Sequence, residues 1–164
     1  MKKLKIAIQG ELGAYSHIAA NNLFKDAEIK TCASFEETFK KAYDDDSFKI
    51  IIPIESSRAG RVADIHYLLP KYNLQIHGEY FLNVQHNLLC RPEANMSDIK
   101  YVRSHAQAIG QCQKIINKNK FQPIISADTA GSAKELAEGN DKSIAAIASD
   151  LSAKIYKLKI LEKN

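Results

Sequence analysis

The stretch Ile51-Ile-Pro-Ile-Glu-Ser-Ser-Arg-Ala-Gly-Arg-Val-Ala-Asp64 passes from an apolar run into a polar turn and then into a predicted helix. The apolar run, residues 49–54, predicts a buried strand that stops near Pro53, because proline has no N–H group to donate to a central ladder. The polar turn ends at Gly60, just before the helix. Helix N-termini favour anions through their free N–H groups and their dipole. The stretch therefore indicates either an anion-binding loop or an ordinary solvated connection.

A second strand–loop–helix unit opens the chain. Residues 4–8 alternate as a strand, a loop with Gly10 and Gly13 follows, and a helical pattern begins after Ser16. Ser16 is a candidate N-cap for that helix. The spacing of the two glycines matches neither the dinucleotide-binding motif nor the P-loop, which argues against a nucleotide ligand.

Strands and helices alternate in residues 1–72 and again in 98–156, which is typical of parallel sheets flanked by helices. Residues 74–90 are long for one strand and predict one or two strands that cross between the two halves. We therefore predict an α/β fold of two lobes, with mostly parallel sheets and a ligand cleft between the lobes. The first lobe covers residues 1–76, with 157–164 returning toward it, and the second covers 77–156.

Polar turns follow the predicted strands of the second lobe as well. Ser104 stands at the N-cap position of a helix over residues 105–118, Asp128 or Thr129 caps the next helix, and Ser149 opens a third. Ligands of such folds bind outside the carboxyl ends of the strands. The turns after Ser104 and at Asp128 are therefore expected to line the cleft together with the two loops of the first lobe.

The composition is that of an ordinary globular chain. With 164 residues, 45% of them hydrophobic, it can bury one sizeable core or two small ones. No segment approaches the roughly 18–20 apolar residues of a membrane span. The N-terminal residues Met1-Lys-Lys-Leu-Lys-Ile6 lack the apolar region of a secretory signal. These features predict a cytoplasmic protein without a membrane anchor.

The cysteines, histidines and net charge exclude several other classes of protein. Cys32, Cys90 and Cys112 are widely spaced and odd in number, so neither a disulfide framework nor a thiolate metal site is predicted. The five histidines lack the paired spacing of zinc hydrolases, and no metal is expected. The net charge of +4 comes with lysines that have no interleaved aromatic residues. We interpret these lysines as solvated and expect no nucleic-acid partner.

Five loops of this sequence, taken together, resemble those of a known enzyme family. They are Gly10-Glu-Leu-Gly-Ala-Tyr-Ser-His17, Pro53-Ile-Glu-Ser-Ser-Arg-Ala-Gly60, Gly78-Glu-Tyr-Phe-Leu82, Ser104-His-Ala-Gln-Ala-Ile-Gly-Gln-Cys112 and Asp128-Thr-Ala130. In order and spacing they resemble the catalytic domain of prephenate dehydratase over nearly the whole chain. The resemblance implies two α/β lobes like those of the periplasmic-binding-protein-like (type II) fold, in agreement with the alternation described above.

The resemblance also implies an activity. Members of the family are cytoplasmic lyases of phenylalanine biosynthesis that convert prephenate into phenylpyruvate, water and carbon dioxide without a metal or an organic cofactor. They commonly form homo-oligomers, dimers or tetramers, and usually carry a C-terminal ACT domain that binds phenylalanine. The family's Thr-Arg-Phe motif supplies the threonine regarded as the main proton donor. Neither feature occurs before Asn164. We therefore expect a truncated chain that binds prephenate weakly and turns it over poorly.

The reaction requires an enzyme that holds a dianion, protonates the departing hydroxyl group and excludes solvent. The residues that the resemblance and this chemistry assign to substrate binding are Ser16, Glu55, Ser56, Ser57, Gly60, Ser104, Gln111 and Thr129. The alternative for Ser104 and Thr129 is a plain N-cap role, and Gln111 contributes only if its helix face is shielded from solvent. Ser56 stands where family members usually have asparagine, so a shorter hydroxyl group replaces an amide donor.

The rival interpretation is a non-catalytic module that binds a small carboxylate on the same fold. The lack of a catalytic threonine before Asn164 and the altered residue at Ser56 favour the module, whereas the resemblance favours the enzyme. The coding sequence after Asn164 discriminates between them. A Thr-Arg-Phe motif and an ACT-like region there would remove the basis for the module.

Overall fold

The computed structural model describes residues 3–163 and divides the chain into two compact units. The first unit contains the residues up to Glu11 and Tyr15–Asn83, and the second contains Leu12–Ala14 and the residues from Val84 onward. The boundary therefore lies between Asn83 and Val84, seven residues after the predicted position. Met1, Lys2 and Asn164, at the ends of the predicted lobes, lie outside the described residues.

The first unit is built around a three-stranded parallel sheet. Its elements are β1 (Lys5–Gln9), α1 (Tyr15–Leu23), β2 (Glu28–Cys32), α2 (Phe35–Asp44), β3 (Phe48–Ile50), β4 (Glu55–Ser56), β5 (Gly60–Arg61) and α3 (Ala63–Tyr72). The strand order is β2-β1-β3, with both pairs parallel. The central strand β1 is buried at Ile6, Ala7 and Ile8. This burial on both faces explains its continuous apolar sequence.

The two longer helices of this unit enclose a small apolar core. Phe39 of α2 and Ile65 and Leu68 of α3 are buried against each other. The sequence fixes the start of α2, because Ser34 is its N-cap and accepts a hydrogen bond from the N–H group of Glu37.

The predicted strand over residues 49–54 is mostly wrong. β3 ends at Ile50, Pro53 is exposed, and Ile54 is 45% exposed. The apolar run suggested a central strand, but β3 lies at the edge of its sheet and has a strand neighbour on one side. The chain leaves the sheet after Ile51, whose N–H group still donates to the carbonyl of Ala7.

Of the one or two strands predicted over residues 74–90, the structure shows a single strand in the last four residues. β6 runs from Asn87 to Cys90, whereas residues 74–86, all of them described, are irregular. Tyr80 accepts a hydrogen bond at its hydroxyl oxygen from the side-chain amide of Asn22 on α1. Phe81 is 87% exposed, so the apolar residues of this segment do not signal a buried strand.

The second unit has a five-stranded mixed sheet. Its elements are β6, a 3₁₀ turn (Met96–Asp98), β7 (Tyr101–Ser104), α4 (Ala106–Gln111), α5 (Gln113–Asn119), β8 (Gln122–Ile125), α6 (Thr129–Glu138), β9 (Ile144–Ala148), α7 (Asp150–Ile155) and β10 (Lys159–Lys163). The strand order is β10-β6-β9-β7-β8. β7 is parallel to β8 and β9, whereas β6 is antiparallel to β9 and β10. The predicted α/β class is confirmed, with parallel pairing complete in the first sheet and partial in the second.

The prediction that residues 157–164 return toward the first lobe is wrong for the described part of that segment. β10 pairs with β6, and Lys159 lies opposite Cys90. The pairing places β10 in the sheet of the second unit. Sequence alone does not reveal which sheet a short apolar strand joins, because the pairing is set by tertiary contacts.

The predicted helix over residues 105–118 is two helices that meet at Cys112. The N–H group of Cys112 donates to the carbonyls of Ala108 and Ile109, and its backbone angles (φ −103°, ψ 17°) end the first helix. Ala108, Cys112 and Ile116 recur four residues apart and are all buried. Burial thus follows the 3.6-residue period across the break.

Cys32, Cys90 and Cys112 are free and buried. Burial raises the pKa of the Cys32 and Cys90 thiols, so both stay protonated at neutral pH. They pack as small apolar side chains. Across residues 3–163, no helix is long and apolar enough to cross a membrane.

Candidate substrate-binding loops

The loop after β3 is a small hairpin. Glu55 pairs with Arg61 and Ser56 with Gly60, leaving a three-residue tip. The hydroxyl oxygen of Ser56 accepts hydrogen bonds at 3.3 Å from the N–H groups of Arg58 and Ala59. Ser56 therefore shapes the turn itself, and its acceptor capacity is used within the hairpin.

Gly60 is required by backbone conformation. Its φ angle is +76°, a region that L-residues with a side chain rarely adopt. A β-carbon at this position would meet no described atom within 4 Å, so space is not the constraint. A glycine with positive φ after a three-residue tip is the usual way to close this type of hairpin.

The helix that follows the hairpin begins without a side-chain cap. Val62 is its N-cap residue and has no side-chain acceptor, and its own N–H group donates to the carbonyl of Ile54 at 3.1 Å. The first-turn N–H groups of Ala63 and Asp64 therefore depend on solvent or a ligand. Ser57, at the hairpin tip six residues before Ala63, is exposed. The loop thus presents backbone and hydroxyl donors.

The charges along this loop nearly cancel. Glu55 and Asp64 are acidic, Arg58 and Arg61 are basic, and all four are exposed. Exposed charges of mixed sign contribute little net field. The polar character of this loop therefore comes mainly from its hydrogen-bond donors.

The N-cap prediction for Ser16 is wrong, because α1 begins at Tyr15 and places Ser16 in the first helical turn, half-buried. β1 and β3 are parallel neighbours, so the loops that follow them leave the same edge of the first sheet. Ser16 and the hairpin therefore follow adjacent strands. Burial lowers the pKa of neighbouring His17, which is consequently neutral at pH 7.

In the second unit, three helices begin where parallel strands end. α4, α6 and α7 follow β7, β8 and β9, and their N-caps are His105, Asp128 and Ser149. Asp128 accepts from the N–H group of Gly131 at 2.6 Å, and Ser149 accepts from that of Ser152 at 3.0 Å. The cap residue of α6 is therefore Asp128, and Thr129 is the first residue of the helix.

Ser104 is neither an N-cap nor exposed to solvent. Its side chain is fully buried, and its hydroxyl group donates to the carbonyl of Ile147 at 2.7 Å. The cap of α4 is His105, whose ring nitrogen Nδ1 accepts from the N–H group of Gln107. The hydrogen bond donated by the Ser104 hydroxyl group therefore links strands β7 and β9. Thr129, in contrast, is half-buried at the start of α6.

Gln111 lies on the wall of a cavity of about 250 Å³ within the second unit. The residues around it are His86, Leu88, Gln111, Cys112, Lys114, Ile115, Lys118, Ile147 and Glu162. Gln111 is half-buried, so its helix face is partly shielded from solvent. Ser104 and Thr129 do not line this cavity, so the three predicted residues of the second unit do not form one pocket.

Sequence analysis missed a buried cluster around Gly13. The carbonyl oxygen of Gly13 accepts from the hydroxyl groups of Ser149 at 2.6 Å and Ser152 at 3.1 Å. The hydroxyl of Tyr156 donates to the carbonyl of Leu12 at 2.9 Å. A β-carbon on Gly13 would lie 2.4 Å from the Ser152 hydroxyl oxygen, and its φ angle is +95°. The sequence signal that could have indicated this cluster is Gly13 together with two serines three residues apart, Ser149 and Ser152, at the start of a distant helix.

No group of three or more His, Cys, Asp or Glu side chains within residues 3–163 is arranged to hold a metal ion. The polar groups described above are hydroxyls, backbone amides, one carboxamide and scattered exposed charges. Such donors bind and orient an organic anion through hydrogen bonds.

These observations define an α/β protein with polar loops after parallel strands in each of two units, the class of fold that binds small ligands at strand ends. A family model described as prephenate dehydratase matches residues 6–164, and the chain belongs to that family. The family predicted from the five loops is therefore confirmed.

Three similar proteins carry related names. The chain is 36% identical over 97% of its length to a bifunctional N-acyl-homoserine lactone acylase/prephenate dehydratase of Komagataeibacter europaeus, of which it covers 57%. It is 36% identical over 99% of its length to arogenate dehydratase/prephenate dehydratase 2 of Arabidopsis thaliana, of which it covers 42%. The crystal structure of the prephenate dehydratase from Staphylococcus aureus matches with a TM-score of 0.79 and 26% identity, over 97% of this chain and 60% of that one. The chain spans about half the length of these relatives.

Proposed function

We propose that this protein is a prephenate dehydratase, which converts prephenate into phenylpyruvate, carbon dioxide and water. The observation that carries the proposal is the family match over residues 6–164. We further propose that it acts in the cytoplasm, as a homo-oligomer, on a small-molecule substrate and without a cofactor, a membrane or a nucleic acid.

The reaction balances with a single proton. The bond between the ring and its carboxylate breaks, carbon dioxide leaves, and the electron pair enters the ring. The bond between the ring and its hydroxyl group breaks, and the departing oxygen takes one proton to become water. The ring becomes aromatic, so no oxidant or reductant is consumed. The protein has to position the substrate, deliver the proton and exclude bulk water.

The hairpin of residues 55–61 is the proposed site for the carboxylate of the pyruvyl side chain. Ser57 has an exposed hydroxyl group, and the helix after Gly60 starts without a side-chain cap. Helix N–H groups and a hydroxyl donor suit a carboxylate, and the helix dipole adds to the attraction. Ser56 and Glu55 hold this hairpin in shape through the turn and the strand pair. Ser16, which follows the neighbouring strand, is a further proposed donor.

The ring carboxylate calls for a different environment. It loses its negative charge as carbon dioxide forms, so a strong ion pair would stabilise the ground state more than the transition state. Neutral donors avoid this penalty. We assign Thr129 as the proposed donor from the second unit, with Ser104 as a positioning residue because its proton is hydrogen-bonded to the carbonyl of Ile147. Gln111 lines a separate cavity, so it is not assigned to the same carboxylate.

Turnover tests the proposal directly. The chain and the complete product of its gene are each incubated with prephenate at pH 7.5, and phenylpyruvate is measured against the spontaneous rate. We expect enzymatic formation of phenylpyruvate. Ser57→Ala is expected to lower kcat/KM about 10-fold or more, since a hydrogen bond to a charged group contributes about 1.5–3 kcal/mol. Ser97→Ala, at an exposed serine of the other unit, is the matched control and should not change kcat/KM. A rate equal to the spontaneous rate for both proteins would refute the proposal.

The second candidate is a carboxylate-binding module without turnover. The observation that favours it is that the proton of the Ser104 hydroxyl group is already donated to the carbonyl of Ile147, which leaves one group fewer to deliver a proton. Calorimetric titration with prephenate separates the two candidates. Binding without phenylpyruvate formation by the complete gene product would establish the module.

A further inference from the structure

The loop between β1 and α1, residues 10–14, has a closely determined backbone path. At its start, the N–H group of Gly10 donates to the carbonyl of Cys32 on β2 at 2.9 Å. Gly10 and Gly13 have φ angles of +92° and +95°, which residues with a side chain rarely adopt. α1 begins at Tyr15, two residues after Gly13. The path of this β1–α1 loop therefore sets where α1 begins.

Three hydroxyl groups from one face of α7 hold the end of the loop. Ser149, Ser152 and Tyr156, on α7 and its two caps, are three and four residues apart and lie on the same helix face. Ser149 and Ser152 donate to the carbonyl of Gly13 at 2.6 and 3.1 Å, and Tyr156 donates to the carbonyl of Leu12 at 2.9 Å. We call these three residues the hydroxyl clamp. Its donors converge on two consecutive carbonyls of a single loop.

Burial makes the two serine bonds of the clamp persistent. Ser149 and Ser152 are 1% and 0% exposed, and Gly13 is buried, so water does not compete for the carbonyl. A carbonyl oxygen accepts two hydrogen bonds, and a hydroxyl group donates one. Both acceptor positions of the Gly13 carbonyl are therefore filled. The peptide group after Gly13 cannot turn without breaking both bonds.

The fixed carbonyl of Gly13 orients the residues that follow it. In a trans peptide the carbonyl oxygen and the next N–H group point in opposite directions within one plane, so the direction of the Ala14 N–H group is set as well. Tyr15 and Ser16 come directly after and form the first turn of α1. Ser16 is a proposed donor to the carboxylate of the pyruvyl side chain. The clamp thus acts on the backbone three residues before this donor.

We propose that Ser149, Ser152 and Tyr156 are positioning residues for substrate binding, which fix the Ser16 donor through the backbone of Leu12 and Gly13. The inference rests on the proposed function, because it takes Ser16 as a donor to prephenate. The pyruvyl carboxylate is not broken in the reaction, so a donor to it stabilises the ground state and the transition state alike. A displaced Ser16 therefore raises KM and leaves kcat nearly unchanged.

The test variant is Ser152→Ala combined with Tyr156→Phe, made in the complete product of the gene. It removes two clamp hydroxyl groups and leaves the Ser149 cap of α7 in place. We expect KM for prephenate to rise about threefold to tenfold and kcat to change less than about twofold. Hydrogen exchange over residues 10–18, measured by mass spectrometry, should be about fivefold faster or more, because the loop opens more often.

Ser143→Ala combined with Tyr101→Phe is the matched control. It removes the same two kinds of hydroxyl group from half-buried residues of the same unit. Tyr101 is the first residue of β7 and Ser143 precedes β9, so both lie at the strand ends opposite the helix starts. This variant should change neither KM nor the exchange over residues 10–18.

Two results would overturn the positioning role alone. One is unchanged KM together with unchanged exchange in the clamp variant, which would show that the clamp does not hold the loop. The other is faster exchange with a lower kcat and an unchanged KM, which would show a role in stability without a role in substrate binding. A complete gene product that does not convert prephenate would instead refute the proposed function, and this inference with it.

Discussion

Serines near strand ends have opposite environments in the two units. Ser57 of the first unit is exposed at the tip of a hairpin, whereas Ser104, Ser149 and Ser152 of the second unit are buried and hydrogen-bonded. A hydroxyl that is already bonded to a buried carbonyl stabilises the fold, and only an accessible hydroxyl is available to a ligand. The position of a serine near a strand end therefore does not show whether its hydroxyl group can bind a ligand or stabilises the fold. The burial of its side chain does.

The helix N-termini differ in the same way. α6 and α7 of the second unit are capped by Asp128 and Ser149. The N-cap of α3 in the first unit is Val62, which has no side-chain acceptor. An uncapped start costs about 1 kcal/mol relative to a good N-cap residue. In the proposed function, a bound carboxylate takes the place of the cap.

The largest effect is expected at Gly13 of the buried cluster. Gly13→Ala forces a residue with a side chain to a φ angle of +95° and places its β-carbon 2.4 Å from the Ser152 hydroxyl oxygen. We expect a loss of about 2–4 kcal/mol in the free energy of unfolding, from backbone strain plus overpacking. Urea denaturation measures it.

Gly110→Ala is the control for this change. Gly110 lies within α4, and a β-carbon there would meet no described atom within 4 Å. Alanine should therefore stabilise the protein by about 0.5–1 kcal/mol. If both glycine variants changed stability by the same amount, the close packing at Gly13 would be disproved.

Ser149→Ala should have the next largest effect. The Ser149 hydroxyl donates to the buried carbonyl of Gly13 and caps α7 by accepting from the N–H group of Ser152. Losing both interactions should cost about 2–3 kcal/mol in urea denaturation. Ser152→Ala, which leaves the shorter bond to Gly13 in place, should cost about 1 kcal/mol. The reverse order would show that Ser152 holds the Gly13 carbonyl.

Ser104→Ala separates architecture from catalysis. Removing the hydroxyl leaves the Ile147 carbonyl without this donor, and a cost of about 1–3 kcal/mol in stability is expected. If Ser104 only positions strands, kcat/KM per folded molecule falls less than about threefold at 20 °C. A fall of about 100-fold in a variant that remains folded would make Ser104 a substrate donor and would break the comparison between the two sets of serines.

Local sequence signals predicted the elements well where short-range chemistry determines them. Asp128 and Ser149 are N-caps as their positions before helical patterns indicated. Ala108 and Ile116 recur at the helical period and mark the buried face of this helical segment despite the break between them. These features depend on neighbours within one or two turns, so the sequence contains the information.

Long-range pairing was not predictable in the same way. The apolar run before Pro53 matched a central strand, but β3 is an edge strand and the run leaves the sheet. β10 joined the sheet beside β6 because the pairing partner is set by the tertiary fold. The Gly13 cluster joins residues 136 positions apart, and no local pattern specifies such a contact.

Among the candidate site residues, the sequence identified which side chains are polar but not which are available. Ser57 and Ser104 are both serines after strands, yet one is exposed and the other is fully buried. Ser16 was expected to cap α1 and instead lies in its first turn. Availability depends on what covers each side chain, which is a property of the packed fold.

The smallest effect concerns an exposed cluster of the first unit. Lys71 and Tyr72 donate to the Glu36 carboxylate at 2.6 and 2.7 Å and hold the pKa of that carboxyl below its ordinary value. The resulting stabilisation is present above the ordinary carboxyl pKa and is lost as the pH falls through the lowered pKa. Solvent screening keeps it small.

Lys71→Gln should raise the pKa of Glu36 toward its ordinary value, as measured by the ¹³C shift of the carboxyl carbon during an acid titration. Lys154→Gln, which removes an exposed ion pair in the second unit, should leave the Glu36 pKa unchanged. An unchanged Glu36 pKa in Lys71→Gln would show that Tyr72 alone sets it.

The contrast between an open loop and a set of bonded serines is tested most directly by adding prephenate to ¹⁵N-labelled protein at pH 7.5. The proposed role of the hairpin predicts chemical-shift changes at the backbone amides of Ser57, Gly60, Ala63 and Asp64, because these donors have no side-chain acceptor in the free protein. The amides of Ser149 and Ser152 should not move. Prephenate binding that leaves all four loop amides unshifted would contradict the account.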